Sequence, residues 1–419
     1  MKNYSLHIPE GVKDYLWDQA KHKESIQNKI KKVFHCYGYN LIETPTFEYL
    51  DVFMLGEDSF QRGDLYKFIN RQGELVALRS DMTCAIARVV CTQNSSLRLP
   101  QRYAYVSNSF RYPERYQGKM HEFTQAGVEL IGKSSIEADA EIIKVAIASL
   151  KEAGLTDFKL HMSSAAFLEC MLSDFGMSEQ DKEKIYEAIE NKDAVSLKMT
   201  LETASTDKET LNMVLELMQC AGGIELLRKT KEKVSCENTR KTLEYLEEIY
   251  TMLEEYGEAE HILFDFSILS YAQYYTGVMF QLFTNGVGSA IIEGGRYDKL
   301  LCQFGKDLPA VGFGININLL LLKLEQDKVI NYSNSKRTLI AYQSSVRSIA
   351  LKVADELRKD DVVVENSLFD SLEEAFNYAK EEQLGGVLYF KENDEVEVYS
   401  IAEGQKDITT VTELLGLEG

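Results

Sequence analysis

No two of the seven cysteines, Cys36, Cys84, Cys91, Cys170, Cys220, Cys236 and Cys302, stand in a C-x-x-C pair or in any other metal-ligand spacing. A metal centre is therefore not expected, and an odd, dispersed set in a chain of 419 residues reads as buried free thiols in a reducing cytosol. Basic charge is also short. The net charge of −20 and a pI near 4.9 disfavour a nonspecific binder of nucleic acid or anionic membrane, which needs a basic footprint, although a local basic groove can sit on an acidic protein. Long apolar runs are missing too. The run from Ile315 to Leu322 is interrupted by asparagines and is too short to span a bilayer, and the opening MKNYSLHIPEGVKDYLW has no apolar core of signal-peptide length. A cytoplasmic protein is expected. No internal repeat, low-complexity linker, Ser-His-Asp spacing or Cys-His spacing stands out.

The length allows two or three domains with cores of their own. Ile26, Ile30, Val33 and Phe34 fall at helical spacing and predict an amphipathic helix over 18–36, ending near Gly38. NLIETPTFEYLDVF then reads as a strand interrupted by Pro45. A hairpin turns at Gln72-Gly73, a helix covers 82–93, and two long antiparallel strands, RYAYVSNSFRYPE and MHEFTQAGVELIG, flank a loop containing Gly118. A helix over 136–153 and a short strand KLHMSS precede a stretch at about 164–258, rich in Glu, Lys, Leu and Met, that reads as an inserted helical bundle. Its Lys-Glu runs, 179–210 and 229–258, read as solvated helix faces. Strands resume at ILFDFSIL, YTGVMFQLFTNG and GSAIIEGGRYD, and a helix follows PAVGFGIN. NYSNS at 331–335 reads as a hinge to a small βαβαβ tail.

Three segments, in order, carry a resemblance. YGYNLIETPTFEYLDVF resembles the first class II synthetase motif, in which a strand proline helps form a dimer interface. FRYPERYQGKMHEFTQAGVELIG is similar to the second motif, and EGGRYDKLLCQFG with PAVGFGININLL to the third. ILSYAQYYTGVMFQLF resembles the histidine-recognition segment of histidyl-tRNA synthetases, approximately V-R-G-L-D-Y-Y-T-G-T-V-F-E. In that alignment the catalytic arginine falls on Ser270 and the aspartate on Gln273. The implied fold is α+β: a class II aminoacyl-tRNA synthetase-like antiparallel sheet flanked by helices over 1–330, with the helical insertion, then a small α/β domain over 336–419.

Adenylation needs preorganised cations for the charge that moves onto ATP phosphates. By resemblance Arg111 is kept, but the loop positions hold Lys119 and His121, and the third-motif glutamate and arginine fall on Asn318 and Leu319. Losing one such contact typically costs on the order of 100-fold in rate, so adenylation is not expected. The amino-acid pocket is kept. The resemblance assigns Asp81, Thr83 and Gln125 to an ammonium, Glu129 and Tyr274 to an imidazole, Tyr275 to the lining and Arg111 to the carboxylate. Asp81 is one methylene shorter than the glutamate usual in synthetases. The competing reading makes these groups internal polar contacts. GGRYD at 294–298 lacks the Lys-Ser/Thr of a phosphate loop and reads as a tight turn with Arg296 paired internally. His7, His22, His35, His161 and His261 are dispersed and read as surface or core residues.

A histidyl fold that keeps the pocket and loses the arginines resembles the regulatory subunit family of ATP phosphoribosyltransferase. LRSDMT is similar to that family's L-R-P-D-M-T, where synthetases have L-R-P-E-G-T. The resemblance implies a non-catalytic subunit without a cofactor. It would self-associate as a dimer, activate a short catalytic phosphoribosyltransferase for the first step of histidine biosynthesis, and relay inhibition by histidine. The tail is similar to a shortened anticodon-binding domain, yet acidic residues outnumber basic ones there roughly two to one, so no tRNA is expected. The alternatives are a histidyl-tRNA synthetase with a divergent active site and a pseudo-synthetase module cut from a stress-sensing kinase.

Overall fold

Ile26, Ile30 and Phe34 line one side of helix α1 (Trp17–Cys36) and are buried, which is why this stretch is helical and why it docks where it does. Each such side chain contributes on the order of 1.5–3 kcal/mol on burial. The structure, a computed structural model, describes residues 4–54, 65–93, 98–112, 120–174, 176–203, 208–218, 221–234, 236–268, 275–329 and 337–414. The chain divides into two units, Met1–Ile330 and Asn331–Gly419. The expected hinge at 331–335 and the loop containing Gly118 lie outside the described residues.

After α1 the segment around Pro45 forms two short strands instead of one. β1 (Asn40–Leu41) pairs parallel with the edge of the main sheet, while β2 (Phe47–Tyr49) joins the hairpin β3 (Lys67–Ile69) and β4 (Leu75–Leu78) in a separate sheet ordered β2-β4-β3. Proline lacks an amide donor, so the strand breaks there. Helix α2 (Thr83–Thr92) follows, then the long pair β5 (Gln101–Phe110) and β6 (Glu122–Ile131), antiparallel throughout. Helix α3 (Ile136–Ala153) is capped by the Ser135 side chain, which accepts the Ala138 N–H, and it ends at Gly154 with a left-handed φ of 105°.

Among the described residues β7 (Lys159–Ser164) leads into six helices: α4 (Ala165–Asp174), α5 (Glu179–Glu190), α6 (Ala194–Thr203), α7 (Lys208–Leu217), α8 (Ile224–Lys233) and α9 (Glu237–Glu255). Their Lys-Glu runs are not solvated throughout. Lys182 is buried, its ammonium held by Glu169, Ser173 and Glu179, because α5 packs that side against α4. β8 (Ile262–Phe264), β9 (Val278–Phe283), β10 (Ile292–Arg296), β11 (Ala310–Asn316) and α10 (Ile317–Gln326) complete the unit. The sheet order is β1-β5-β6-β11-β10-β9-β7-β8, parallel only at the β1-β5 and β7-β8 edges. One face, with Ala104, Val128, Phe313, Phe280 and Met162 in register, packs on α1, α3 and the insertion. The opposite face carries the polar residues described below.

GGRYD is not a turn. Gly294 and Gly295 lie within β10, where Phe280 and Phe313 crowd one and Tyr275 the other too closely for a side chain. The thiols are not uniformly buried either: Cys84 is, whereas Cys36 and Cys302 are exposed, and Cys220 lies outside the described residues. No helix among the described residues is long and apolar enough to cross a membrane.

The second unit contains the expected βαβαβ: β12 (Thr338–Tyr342), α11 (Arg347–Lys359), β13 (Val364–Asn366), α12 (Leu372–Glu381) and β14 (Gly386–Phe390). Beyond it, β15 (Glu395–Ser400) and β16 (Lys406–Thr410) extend the sheet antiparallel, before a short α13 (Val411–Leu414), in the order β13-β12-β14-β15-β16. Asn393 and Asp394, both at positive φ, make the β14-β15 turn.

Candidate functional site

Residues opposite one another in an antiparallel sheet share a face. One row across the main sheet reads Tyr103, Glu129, Gly312, Gly295, Met279 and Ser163. The next reads Tyr105, Gly127, Gly314, Glu293, Gln281 and His161. Glycines thus form the floor between β6, β11 and β10. A side chain at 312 would occupy the place of the Glu129 carboxyl, and one at 127 the place of the Tyr105 hydroxyl. The missing side chains are what let a carboxyl and a phenol lie flat on this sheet.

Glu129 is 1% exposed. Thr83, the first residue of α2, donates its hydroxyl to Oε1 at 2.9 Å, and Tyr297, just after β10, donates to Oε2. Burial pushes the Glu129 carboxyl up to about 8; the two donors oppose that shift, and the Asp81 charge adds to it. Asp81 stands at the N-terminal end of α2, where its Oδ1 takes the Cys84 N–H at 3.5 Å. Its carboxyl is also raised by burial, with Arg111 pulling the other way. Arg111 donates from Nε to the Ser80 carbonyl at 3.1 Å, and its guanidinium lies 5.4 Å from the Phe123 ring centroid.

Gln125 lies on the same face of β6, its Oε1 accepting from Ser109 at 3.3 Å and its amide above Gly314. The Tyr275 ring packs over Gly295, and burial raises its phenol. Asp81, Thr83, Gln125, Glu129 and Tyr275 are therefore brought to one face, with Arg111 beside Asp81. Tyr274, Ser270, Gln273 and Lys119 lie outside the described residues.

The positions aligned with phosphate-binding groups have structural partners. His121 shares a hydrogen bond at Nδ1 with Tyr66 Oη at 2.5 Å, lies with its ring tilted against Tyr112 at 5.3 Å, and donates its backbone N–H to the Gly11 carbonyl at 2.7 Å. Asn318 donates to Tyr15 Oη at 2.7 Å and accepts the Thr124 N–H at 2.9 Å, while Leu319 packs against the main core. Arg296 is paired internally, with Asp139 at 2.6 Å and Asp298 at 2.9 Å. Of the dispersed histidines, His261 is buried and stacked on Phe158, and His161 meets Asp265 at 2.8 Å. Among the described residues no group of three or more His, Cys, Asp or Glu is placed to hold a metal ion.

Sequence reading missed Tyr297 and Tyr105. The signal for Tyr297 was its place directly after Arg296 in GGRYD. For Tyr105 it was the register of two ten-residue strands, which no motif spells. Among the described residues, two carboxyls, a hydroxyl and an amide near a glycine floor, with the Arg111 guanidinium beside Asp81, suit a zwitterion of amino-acid size better than a polyphosphate, which needs several cations.

The pattern of a protein family described as histidyl-tRNA synthetase matches residues 11–320. Over 416 residues the chain is 35% identical to the ATP phosphoribosyltransferase regulatory subunit of Ruminiclostridium cellulolyticum, covering 99% of each. A solved structure described as an ATP phosphoribosyltransferase regulatory subunit/histidyl-tRNA synthetase from Bacillus halodurans superposes with a TM-score of 0.85 at 29% identity, over 93% of this chain and 100% of that one. Histidyl-tRNA synthetase from Nostoc sp. PCC 7120 gives 0.83 at 20% identity over 99% of each, a likeness of fold. With that near full-length similarity, the chain belongs to the family of ATP phosphoribosyltransferase regulatory subunits, built on the histidyl-tRNA synthetase fold.

Proposed function

We propose that this chain is the non-catalytic regulatory subunit of an ATP phosphoribosyltransferase, that it binds histidine in the pocket around Glu129, and that it passes inhibition to a short catalytic subunit. The observation that carries the reading is the Glu129 carboxyl, buried and held by Thr83 and Tyr297 beside Asp81 and Arg111. Having donated its hydrogen to Glu129, the Thr83 hydroxyl keeps lone pairs and accepts an ammonium, as do Asp81 and Gln125. Glu129 and Tyr274 supply the two partners that distinguish an imidazole from a side chain of similar size. Leu319 and Asn318 are taken into packing and Ser270 aligns with the catalytic arginine, so among the described residues these aligned positions supply no cation for adenylation, which supports the non-catalytic reading.

The protein works in the cytoplasm as a dimer joined through the segment around Pro45, and it binds no tRNA. Its tail, 336–419, is a repurposed relative of an anticodon-binding domain. For histidine to inhibit through this subunit, it must bind the less active assembly more tightly than the active one. The test is a histidine titration of the reconstituted complex. Glu129→Ala leaves a ring N–H unpaired, costing about 1–3 kcal/mol, which weakens inhibition roughly 5- to 150-fold while basal activation persists. If Glu129→Ala and Tyr274→Phe both keep wild-type inhibition curves, histidine acts elsewhere and the reading of this pocket fails.

A further inference from the structure

A continuous polar line runs from the helical insertion to the pocket. Tyr245, on α9, donates its phenol to Asp139 Oδ2 on α3. Asp139 Oδ1 accepts from Arg296 Nε at 2.9 Å and Nη2 at 2.6 Å, and both side chains are buried. Burial works against both charges. The carboxyl of Asp139 is raised, yet the Asp139 charge holds the Arg296 guanidinium firmly protonated.

Arg296 in turn holds the segment that follows Tyr275. Its side chain covers Gly277, where a Cβ would meet Arg296 methylenes, and its carbonyl accepts the Thr276 N–H at 2.7 Å. The Thr276 hydroxyl takes the Asp298 N–H at 3.0 Å, which closes the segment on itself. Tyr297, the next residue along the chain, donates to Glu129.

We propose that Tyr245 is a positioning residue for the amino-acid pocket: through Asp139 and Arg296 it sets the place of Thr276, Gly277 and Tyr297, so that the insertion and the pocket are energetically coupled. The hydroxyl has no other evident reason to reach the core. α9 already buries Leu243, Leu246, Ile249 and Leu253, and packing alone would hold it. A phenol donating to a carboxylate that also grips an arginine adjusts where that arginine sits, because an ion pair in a low-dielectric interior responds to small changes in its donors.

As regards the ligand the proposal rests on the function given above, so the test has one arm that needs no ligand. The full-length protein is prepared as wild type, Tyr245→Phe, Tyr297→Phe and the double variant, with Tyr245→Leu standing in should the phenylalanine form aggregate. Titration of Glu129 is followed by NMR of carboxyl-labelled glutamate, assigned with Glu129→Gln; the other groups facing this carboxyl are Asp81, Cys84, Tyr105, Tyr275 and Tyr297. Because the Tyr297 hydrogen bond lowers the Glu129 titration, Tyr245→Phe is expected to move the midpoint upward, and to have no further effect when Tyr297 is already phenylalanine.

In the second arm, calorimetry with L-histidine is expected to show binding weakened about 2- to 10-fold by Tyr245→Phe, the effect of one lost hydrogen bond. A lower melting temperature with the Glu129 midpoint unchanged would mean that Tyr245 is only structural, and it overturns the proposal. A wild-type protein that does not bind histidine overturns the assignment of the ligand instead, and the titration arm still decides the coupling.

Discussion

Thr83 and Glu129, 46 positions apart, meet at 2.9 Å and tie the first turn of α2 to the C-terminal part of β6. That contact is the polar counterpart of the apolar cluster in which Met82, Cys84, Ile86 and Ala87 of the α2 region pack on Tyr105, Ile131 and Ala310 of the main sheet. It also gives the Glu129 carboxyl a donor that serves when the group is charged, while burial favours the neutral form.

Glu129 titrates near 8 in the folded chain against about 4.3 for an unfolded glutamate. The folded state therefore binds more protons between those values, and stability falls as pH rises through that window. From pH 5 to 8 urea unfolding should show a decline of at most about 1.4 kcal/mol per pH unit from this group. Glu129→Gln should flatten that part of the curve; a wild-type curve that rises over the same range would contradict the assignment.

On the function proposed above, the purified chain should not catalyse histidine-dependent exchange of pyrophosphate into ATP, the resemblance setting Ser270 and Leu319 against phosphate-binding arginines. Each such absence typically costs on the order of 100-fold, so a rate at least that far below an ordinary synthetase is expected. Exchange at the rate of an ordinary synthetase would refute this.

Phe47 and Tyr49 on β2 are 52% and 55% exposed, and Phe47 packs edge-on against Phe68 at 5.6 Å. This apolar patch beside Pro45 is expected to be covered in a two-fold dimer. Phe47→Asp should shift sedimentation from dimer to monomer, and an unchanged dimer would place the interface elsewhere.

Arg296→Met should destabilise the chain by on the order of 3–5 kcal/mol, because it strands the buried Asp139 carboxylate. Arg228→Met, which removes an exposed pair with Glu247 on the insertion, should leave the urea midpoint where it is. Equal losses in the two variants would show that the Asp139 pair carries no special weight.

Periodicity made α1, α3 and the helical insertion legible, since each buries an apolar stripe whose spacing is written in consecutive residues. The long β5-β6 pair was legible for the same reason. The break at Pro45 into strands of two different sheets was less so, because which sheet a short strand joins depends on partners far along the chain. β15 and β16 escaped notice because the alternation of Glu395, Val396, Glu397 and Val398 spans too few residues to stand apart from a polar tail. In the site, residues with a motif around them were placed by resemblance. Tyr297 came into view only once the sheet register brought the end of β10 to Glu129. The burial of Lys182 likewise depends on how α4 and α5 pack, which a local charge pattern does not encode.

Asn318 spans three parts of the chain, with Tyr15 on one side, the backbone of Thr124 on the other, and its own helix α10 behind it. An acid there would present oxygens where the Tyr15 contact is now made by an amide donor, and a guanidinium at 319 would have to leave the apolar surroundings that Leu319 occupies. Asn318 thus works as a three-way clasp: one side chain holds the N-terminal segment, a strand of the main sheet and the start of α10 at a single point, so a change at this position is felt in all three.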